Sequence, residues 1–395
     1  MHSRTVFRLF WALTFLLSGC SVDMDTLHSE LYCDSQVSNW HKIGELPAHT
    51  GKDSFPGIAA AFYGSLGDYL IIAGGTNFPD GHPFFNGSKK NYESRGLIYS
   101  VADGDLALVK TFELPEPSGY GATVKHENSL YFVGGANEKG FLNSVIKVAL
   151  EKDGTPNIQK LPPLPLAWSD GGAAVYDDRL YLFGGKVNGE AINDVISVPL
   201  HGANSNDVIK HRGIPGTLTR TSFPSIKLGK GMYIFGGLYS DPSDGKYVLA
   251  DSYRFDFITG EWKALSDITL DGLPYSVLGA SAVQLGPQSV LLLGGVNYEI
   301  FNDTLAKLSN LKGEALSDFK KHYFSQPPDY YQFSRVQMEY RTDIDRWLPL
   351  NSKLPFNGGA GPVQVIRSGE YIYHFGGEIK PVVRTPDIYR GEIGR

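Results

Sequence analysis

The sequence predicts an all-β fold made of six repeated four-stranded units arranged as a propeller. Three observations predict it. The 395 residues include 46 Gly and 23 Pro, a content typical of a chain with many turns. Aromatic residues make up 12% and charged residues only 20%, which excludes a disordered chain and favours a large core. An apolar stretch that ends in Gly-Gly also recurs six times.

The Gly-Gly pairs mark the repeats, most of them roughly 50–60 residues apart. They end at Gly75, Gly135, Gly185, Gly237, Gly295 and Gly377. A strand rich in small residues precedes each pair, and two further strands are expected after it, such as residues 193–200 and a strand near Trp262. Four strands per repeat, with Gly-Gly and a later Trp, resemble the kelch repeat of β-propellers. We therefore predict a six-bladed kelch-type β-propeller with a short helical insertion between blades.

The last repeat lacks an outer strand at its own end of the chain. Residues 39–47, NWHKIGELP, have the Trp and Leu-Pro pattern of such a strand. We expect this segment to pair into the sixth blade, which closes the ring and leaves no sheet edge open. Residues 36–395 then form one propeller domain.

The beginning of the chain is typical of an export signal. Two arginines precede an apolar stretch over residues 9–17, which is too short for a stable membrane span. The following Leu-Ser-Gly-Cys ends at Cys20 and resembles the lipobox of bacterial lipoproteins. We expect residues 1–19 to be a signal peptide, Cys20 to be lipidated and residues 20–35 to be a tether. The protein would then lie in the periplasm on the outer membrane; cleavage of an ordinary signal peptide is the alternative.

One rim of the propeller is the expected place for a site. Strands in a blade alternate in direction, so residues after each Gly-Gly and residues that open each inner strand meet at one mouth of the channel. The two largest insertions, residues 77–95 and 301–333, belong to the same rim. The second shows helical spacing of apolar residues, and we expect one or two short helices over the mouth. A surface flap without function is the alternative.

Glu378 and Arg384 are the candidate chemical groups at this rim. A carboxylate can act as an acid or base, and a guanidinium can bind the carboxylate of an acidic sugar. An exposed ion pair without function is the alternative. The net charge of −6 and the lack of basic runs exclude nucleic acid as a partner. The cysteines and histidines show no metal-ligand spacing, so we expect neither a metal nor a cofactor.

Three segments carry a closer resemblance. They are GGVNYEIFND at 294–303, the helical insertion ending in KKHYFSQPPDYY, and GGEIKPVVRT at 376–385. Together they resemble the N-acetylneuraminate epimerases, periplasmic kelch enzymes that interconvert the α and β anomers of free sialic acid. The blade order differs from that of the usual enzyme, so the chain resembles a circularly permuted branch of this family. A closed ring tolerates such a permutation, because every strand pairing is kept.

The resemblance also implies roles for single residues. Glu378 falls on the proton acceptor of the family and Arg384 on its nearby arginine, which holds the carboxylate of the substrate. The expected substrate-binding residues are Arg384, Arg220, Asn297, Asn302, Asn77 and Tyr120. Two departures are Ile379 in place of Ala and Ser118 in place of Arg. Action on another acidic sugar, and a non-catalytic lipoprotein that binds glycan or protein, are the alternatives, and the oligomeric state stays open.

Overall fold

Six antiparallel four-stranded sheets form the blades of this protein. The computed structural model describes residues 36–202, 207–216, 218–241, 243 and 245–394. The inner strands of neighbouring blades contact one another in order, and the inner strand of blade 6 contacts that of blade 1. The sheets therefore surround a central channel, and the predicted all-β, six-bladed fold is confirmed.

The strands of the first three blades run from the channel outward in chain order. Blade 1 contains Phe62–Leu66, Tyr69–Ala73, Arg95–Ala102 and Asp105–Glu113. Blade 2 contains Ala122–His126, Ser129–Val133, Val145–Leu150 and Pro156–Leu161. Blade 3 contains Gly172–Tyr176, Arg179–Phe183, Val195–Pro199 and Ile209–His211.

The remaining blades follow the same order, except that blade 6 takes its outer strand from the other end of the chain. Blade 4 contains Ser225–Leu228, Gly231–Asp241, Gly245–Asp256 and Trp262–Leu265. Blade 5 contains Ser281–Gly286, Ser289–Leu293, Val336–Arg341 and Arg346–Lys353. Blade 6 contains Gln364–Ser368, Tyr371–Phe375, Asp387–Gly394 and Gln36–Glu45.

Short strands and helices lie outside the blades. The short strand pairs are Thr76–Asn77 with Asn91–Tyr92, Ala136–Asn137 with Gly140–Phe141, Lys186–Val187 with both Trp168–Ser169 and Glu190–Ala191, Thr269–Leu270 with Leu273–Pro274, and Glu378–Lys380 with Val383–Arg384. The helices are α1 (Pro83–Asn86), α2 (Tyr298–Asn310) and α3 (Gly313–Ser325), followed by a 3-10 turn at Pro328–Tyr331. Helices α2 and α3 confirm the helical insertion that the sequence predicts.

The structure explains why Gly-Gly recurs in every blade. Both glycines of all six pairs have positive φ, a conformation that side chains with a Cβ disfavour. Neighbouring blades also approach closely here: a Cβ on Gly134 would lie 2.1 Å from the carbonyl oxygen of Trp168. The repeat therefore marks the point where each second strand turns toward the next blade.

The outer strand Gln36–Glu45 closes the ring. It pairs antiparallel with Asp387–Gly394, so the prediction that this segment completes blade 6 is confirmed, with the strand three residues earlier at its start. Trp40 is only 9% exposed and stacks edge-on against Phe356, with ring centroids 5.7 Å apart. Its indole N–H donates to Gln337 of blade 5 at 3.1 Å. The side chain of Trp40 thus connects the outer strand of blade 6 to blade 5.

Trp40→Ala should lower the free energy of unfolding by about 3–5 kcal/mol, the usual range for a buried aromatic side chain truncated to alanine. The indole fills the space above Gly391 and donates to Oε1 of Gln337, so its loss leaves a cavity and removes the donor to that oxygen. Urea unfolding followed by circular dichroism measures the change. His41→Ala, at an exposed position of the same strand, is the control, and equal stability of the two variants would contradict the closure argument.

No helix in the described part of the chain is both long enough and apolar enough to span a membrane. The predicted signal peptide, Cys20 and the tether lie outside the described residues.

Candidate active site at the channel mouth

A ring of backbone hydrogen bonds frames one mouth of the channel. Each blade contributes one residue just before its inner strand, and all six have positive φ between 53° and 75°. From blade 1 to blade 6 they are Ala60, Tyr120, Asp170, Ser222, Gly279 and Gly361. The N–H of Tyr120 donates to the carbonyl of Ala60, that of Asp170 to Tyr120, that of Ser222 to Asp170 and that of Gly279 to Ser222. In blade 6 the neighbours of Gly361 close the ring, because Val363 donates to Gly279 and Pro362 accepts from Ala60. The mouth is therefore a rigid frame on which side chains are presented.

Residues after the Gly-Gly pairs join this frame, as the sequence predicts. Single bridges pair Ala59 with Thr76, Gly119 with Ala136, Thr221 with Leu238 and Ala360 with Glu378. The two chain segments that approach the mouth in a blade are thus held side by side.

The channel below the mouth encloses a cavity of about 410 Å³, lined among others by Tyr120, Asp170 and Pro362. The side chains around the mouth are unequal in size. Blades 2 and 3 carry Tyr120 and Asp170, whereas blades 5, 6 and 1 carry only glycine or alanine at the equivalent places. The small residues therefore lie on the side of blade 6, and the side chain of Glu378 occupies the space above Gly361.

Glu378 and Arg384 face each other across a short hairpin at this mouth. They are directly opposite in the pairing of Glu378–Lys380 with Val383–Arg384. The Nη2 atom of Arg384 lies 2.7 Å from Oε1 of Glu378. The side chain of Arg384 is 2% exposed and that of Glu378 is 17% exposed. Gly361 allows this approach, because a Cβ there would lie 2.8 Å from the carboxyl carbon of Glu378. The structure thus brings the two predicted groups together in one partly buried pair.

Arg384 keeps unused hydrogen-bond donors. Its guanidinium lies over the ring of Phe78 at 4.7 Å, and its Nε and Nη1 atoms are buried without an acceptor among the described residues. Buried polar groups of proteins are nearly always paired, so unpaired donors in a native site call for an explanation. A ligand carboxylate is the group that a guanidinium binds best.

The first insertion adds a second group of polar side chains. Lys90 donates to the hydroxyl of Tyr120 at 3.0 Å and lies over its ring at 4.7 Å. Burial lowers the pKa of Lys90 and the nearby charge of Arg384 does the same, but contacts with Tyr120 outweigh them and the pKa lies above its ordinary value. Lys90 therefore adds a positive charge near the balanced pair of Glu378 and Arg384.

The helical insertion reaches the same hairpin. Lys380 donates to the carbonyls of Phe324 and Gln326 at 3.3 and 2.9 Å, at the end of α3. Phe324 in turn contacts the first insertion, with its ring centroid 5.1 Å from that of His82. Burial lowers the pKa of His82, and the charge of Lys380 lowers it further, which favours a neutral ring. The two predicted insertions therefore meet beside Glu378.

Several predicted binding residues have structural roles in this chain. Asn77 is 1% exposed and bonds to Glu93, and Asn297 caps α2 by accepting from the N–H of Ile300. Asn302 accepts from the N–H of Val248 and so ties α2 to blade 4. These three amides hold the insertions in place.

Arg220 lies at the expected rim, but its guanidinium is already paired within blade 4. Its side chain is 1% exposed, and its two Nη atoms bond to both carboxylate oxygens of Asp251 at 2.6 and 2.8 Å. One of them also donates to the carbonyl of Gly236. These contacts support blade 4 and occupy both Nη atoms of Arg220, and a role of Arg220 in binding stays a prediction. The sequence position predicts the rim correctly but not the partner Asp251, which is 31 residues away.

Sequence reasoning missed Lys90, Lys380 and Phe78 as neighbours of the predicted pair. The only available signal was their place in the first insertion or just after Glu378. In the described ranges no three histidine, cysteine, aspartate or glutamate side chains cluster as metal ligands.

Comparison with known proteins now defines the class. Residues 57–295 match the family model of the KLHDC2/KLHL20/DRC7 Kelch-repeats domain, which is more than half of the chain. The chain therefore belongs to the kelch-repeat family. Within that class, residues 214–395 match the family model of N-acetylneuraminate epimerase, and this segment contains Glu378 and Arg384. The resemblance that the sequence predicts is thus confirmed.

Individual relatives agree with this assignment. The chain is 28% identical over 240 residues to the N-acetylneuraminate epimerase of Yersinia enterocolitica, covering 60% of this chain and 58% of that protein. It is 27% identical over 241 residues to the N-acetylneuraminate epimerase of Haemophilus influenzae, covering 60% of each. The chain thus matches under two thirds of the length of these relatives. The permuted order of blades stays a prediction.

Proposed function

We propose that this protein is a sialic acid mutarotase, which interconverts the α and β anomers of free N-acetylneuraminate. The observation that carries the proposal is the Glu378–Arg384 pair at the channel mouth, with two buried donors of Arg384 unpaired. The pair combines a proton acceptor with a binding group for an acidic sugar. Relatives named N-acetylneuraminate epimerase support the choice of sugar.

Arg384 would bind the carboxylate of the sugar, and this would place the anomeric hydroxyl beside Glu378. Glu378 takes the proton of that hydroxyl while the bond between the anomeric carbon and the ring oxygen breaks. The ring oxygen takes a proton, and an open-chain ketone results. Rotation next to the carbonyl and closure on its other face give the second anomer, with the protons returned in reverse.

The surroundings of the pair support this chemistry. The two insertions meet through His82 and Phe324 beside the hairpin, and Lys380 fastens α3 to it. They shield the pair from bulk water, which strengthens the electrostatic contact between Arg384 and a carboxylate. The cations Lys90 and Arg384 further favour an anionic ligand.

The direct test is proton NMR of freshly released α-sialic acid with and without the protein. The proposal expects the α resonance to decay to the equilibrium ratio faster with protein, at a pH where the spontaneous rate is slow. Acceleration with another acidic sugar but not with sialic acid would favour a related mutarotase. Binding of sialic acid without acceleration would favour a glycan-binding protein.

We further propose that the protein is anchored in the periplasm through Cys20. Cys20→Ser should move the protein from the membrane fraction to the soluble or unprocessed fraction. Several acyl chains hold a protein firmly at a membrane, and the variant would carry no acyl chain. Fractionation after osmotic shock, with detection by immunoblot, measures this. Cys33→Ser is the control and should stay with the membrane. Recovery of the unaltered protein in the soluble fraction would refute the anchor.

A further inference from the structure

The proposed reaction needs a second proton carrier, because the ring oxygen must gain a proton as Glu378 accepts one. We propose that Tyr120 is this second catalytic residue and that Lys90 is its positioning residue. This inference rests on the proposed function and names the group that acts on the ring oxygen.

The hydrogen bonds of Tyr120 leave its proton available. Its oxygen accepts from Lys90 at 3.0 Å and from the hydroxyl of Thr76 at 3.4 Å. Within the described part of the chain, the acceptor nearest to the phenol proton is the Thr76 oxygen, and 3.4 Å is a long, weak contact for two hydroxyls. A phenol that accepts from a cation and has only this weak contact for its own proton can donate that proton to a ligand.

The frame of the mouth places Tyr120 toward the same space as Glu378. Tyr120 lies in blade 2 and Gly361, which contacts the carboxyl of Glu378, in blade 6. Only Ala60 of blade 1 stands between them, hydrogen-bonded to Tyr120 on one side and to Pro362 on the other. A sugar ring above this small residue would have Glu378 on one side and Tyr120 on the other.

Lys90 provides a positive charge beside the phenol oxygen of Tyr120. When Tyr120 gives its proton to the ring oxygen, the phenolate that forms is paired at once with the ammonium of Lys90. Lys90 itself has no carboxylate partner among the described residues, so no nearby anion neutralises its charge before the phenolate forms. On ring closure the sugar hydroxyl that attacks the ketone returns its proton to the phenolate, and Glu378 returns the other. No proton is gained or lost overall.

The backbone of Tyr120 is held independently of its hydroxyl. Its φ of 63° and its two bonds in the ring of the mouth involve main-chain atoms only. Tyr120→Phe therefore removes the proton donor and keeps the frame and the ring that lies under Lys90.

The experiment measures kcat and KM for anomer interconversion in the unaltered protein and in four variants. Tyr120→Phe should lower kcat by roughly 10²-fold, at the lower end of the range for positioned proton transfer, with KM little changed. Lys90→Met should lower kcat less, with KM little changed, because the phenolate formed during the reaction loses the positive charge beside it. Lys90→Arg should restore the charge and most of the rate.

Tyr92→Phe is the matched control, since Tyr92 lies on the same insertion and also interacts with Lys90, but its phenol makes no hydrogen bond within the described residues. Full activity of Tyr120→Phe, or loss of activity in Tyr92→Phe alone, would overturn the assignment. An unchanged kcat in Lys90→Met, or no recovery of kcat in Lys90→Arg, would overturn the role of Lys90. Failure of the unaltered protein to accelerate the reaction would refute the proposed function, and this inference with it.

Discussion

Glu378→Gln should reduce the rate of anomer interconversion by roughly 10²–10⁴-fold, the contribution expected from a positioned acid–base group. Glutamine has the shape of glutamate and can still accept from Arg384 through its amide oxygen. It cannot take the proton of the anomeric hydroxyl at neutral pH. Since Arg384 is the residue proposed to bind the sugar carboxylate, binding should stay within a few-fold of the unaltered protein.

Two measurements separate these effects. NMR of the decaying α anomer gives the rate, and calorimetric titration with equilibrated sialic acid gives the affinity. Glu138→Gln is the control, because Glu138 is an exposed carboxylate close to the rim position of blade 2. If Glu378→Gln turned over sialic acid as fast as the unaltered protein, Glu378 would not be the base, and a binding function would be favoured.

Arg384→Ala should weaken binding of sialic acid by about 2–5 kcal/mol, the range for loss of one partner of a buried charge pair. At the lower limit this is about 30-fold in Kd. The guanidinium is 2% exposed and holds two unpaired donors, so no neighbouring cation can replace it from the same position. Arg384→Lys should recover part of the affinity, since it restores the charge but not the planar group of donors.

The methyl ester of sialic acid provides a second arm for this test. It lacks the charge that Arg384 would bind, so the unaltered protein should bind it more weakly than the acid. Arg384→Ala should bind the acid and the ester about equally. An equal loss of affinity for both sugars would show that Arg384 supports the site without contacting the carboxylate. Thermal unfolding of each variant checks that the partner Glu378, left without its cation, has not disrupted the fold.

The blades could be predicted because a strand that ends in a Gly-Gly turn recurs six times in the sequence. Each Gly-Gly marks a turn where positive φ and close blade contact exclude a side chain, as at Gly134, and such a constraint is visible in residue type alone. The outer strand around Trp40 could also be placed, since a closed ring needs every edge to be paired.

The candidate base and its cation could be predicted for a related reason. Glu378 directly follows a Gly-Gly, and the hairpin that begins there is short, so Arg384 must return to a position opposite it. The short hairpin thus determines that the side chains of Glu378 and Arg384 contact each other.

The other rim residues show what local geometry leaves open. Arg220 lies at the predicted rim, but only the folded blade reveals that Asp251 binds both of its Nη atoms. Asn297 and Asn302 lie in the predicted insertion, yet their amides are used by the backbone of α2 and of blade 4. A side chain's partner depends on which elements pack beside it, and no spacing in the sequence contains that information.

The sequence by itself determined the number of blades, the closure of the ring and the rim where Glu378 and Arg384 face each other, while their roles in a site stay predictions. Only the tertiary structure decided which rim side chains stay available to a ligand. It placed Lys90 on Tyr120, left two donors of Arg384 unpaired and enclosed Arg220 completely. The physical reason is that repeats and turns depend on backbone conformation, which nearby residues dictate. Burial and hydrogen-bond partners depend on contacts between blades and insertions that are far apart in the chain.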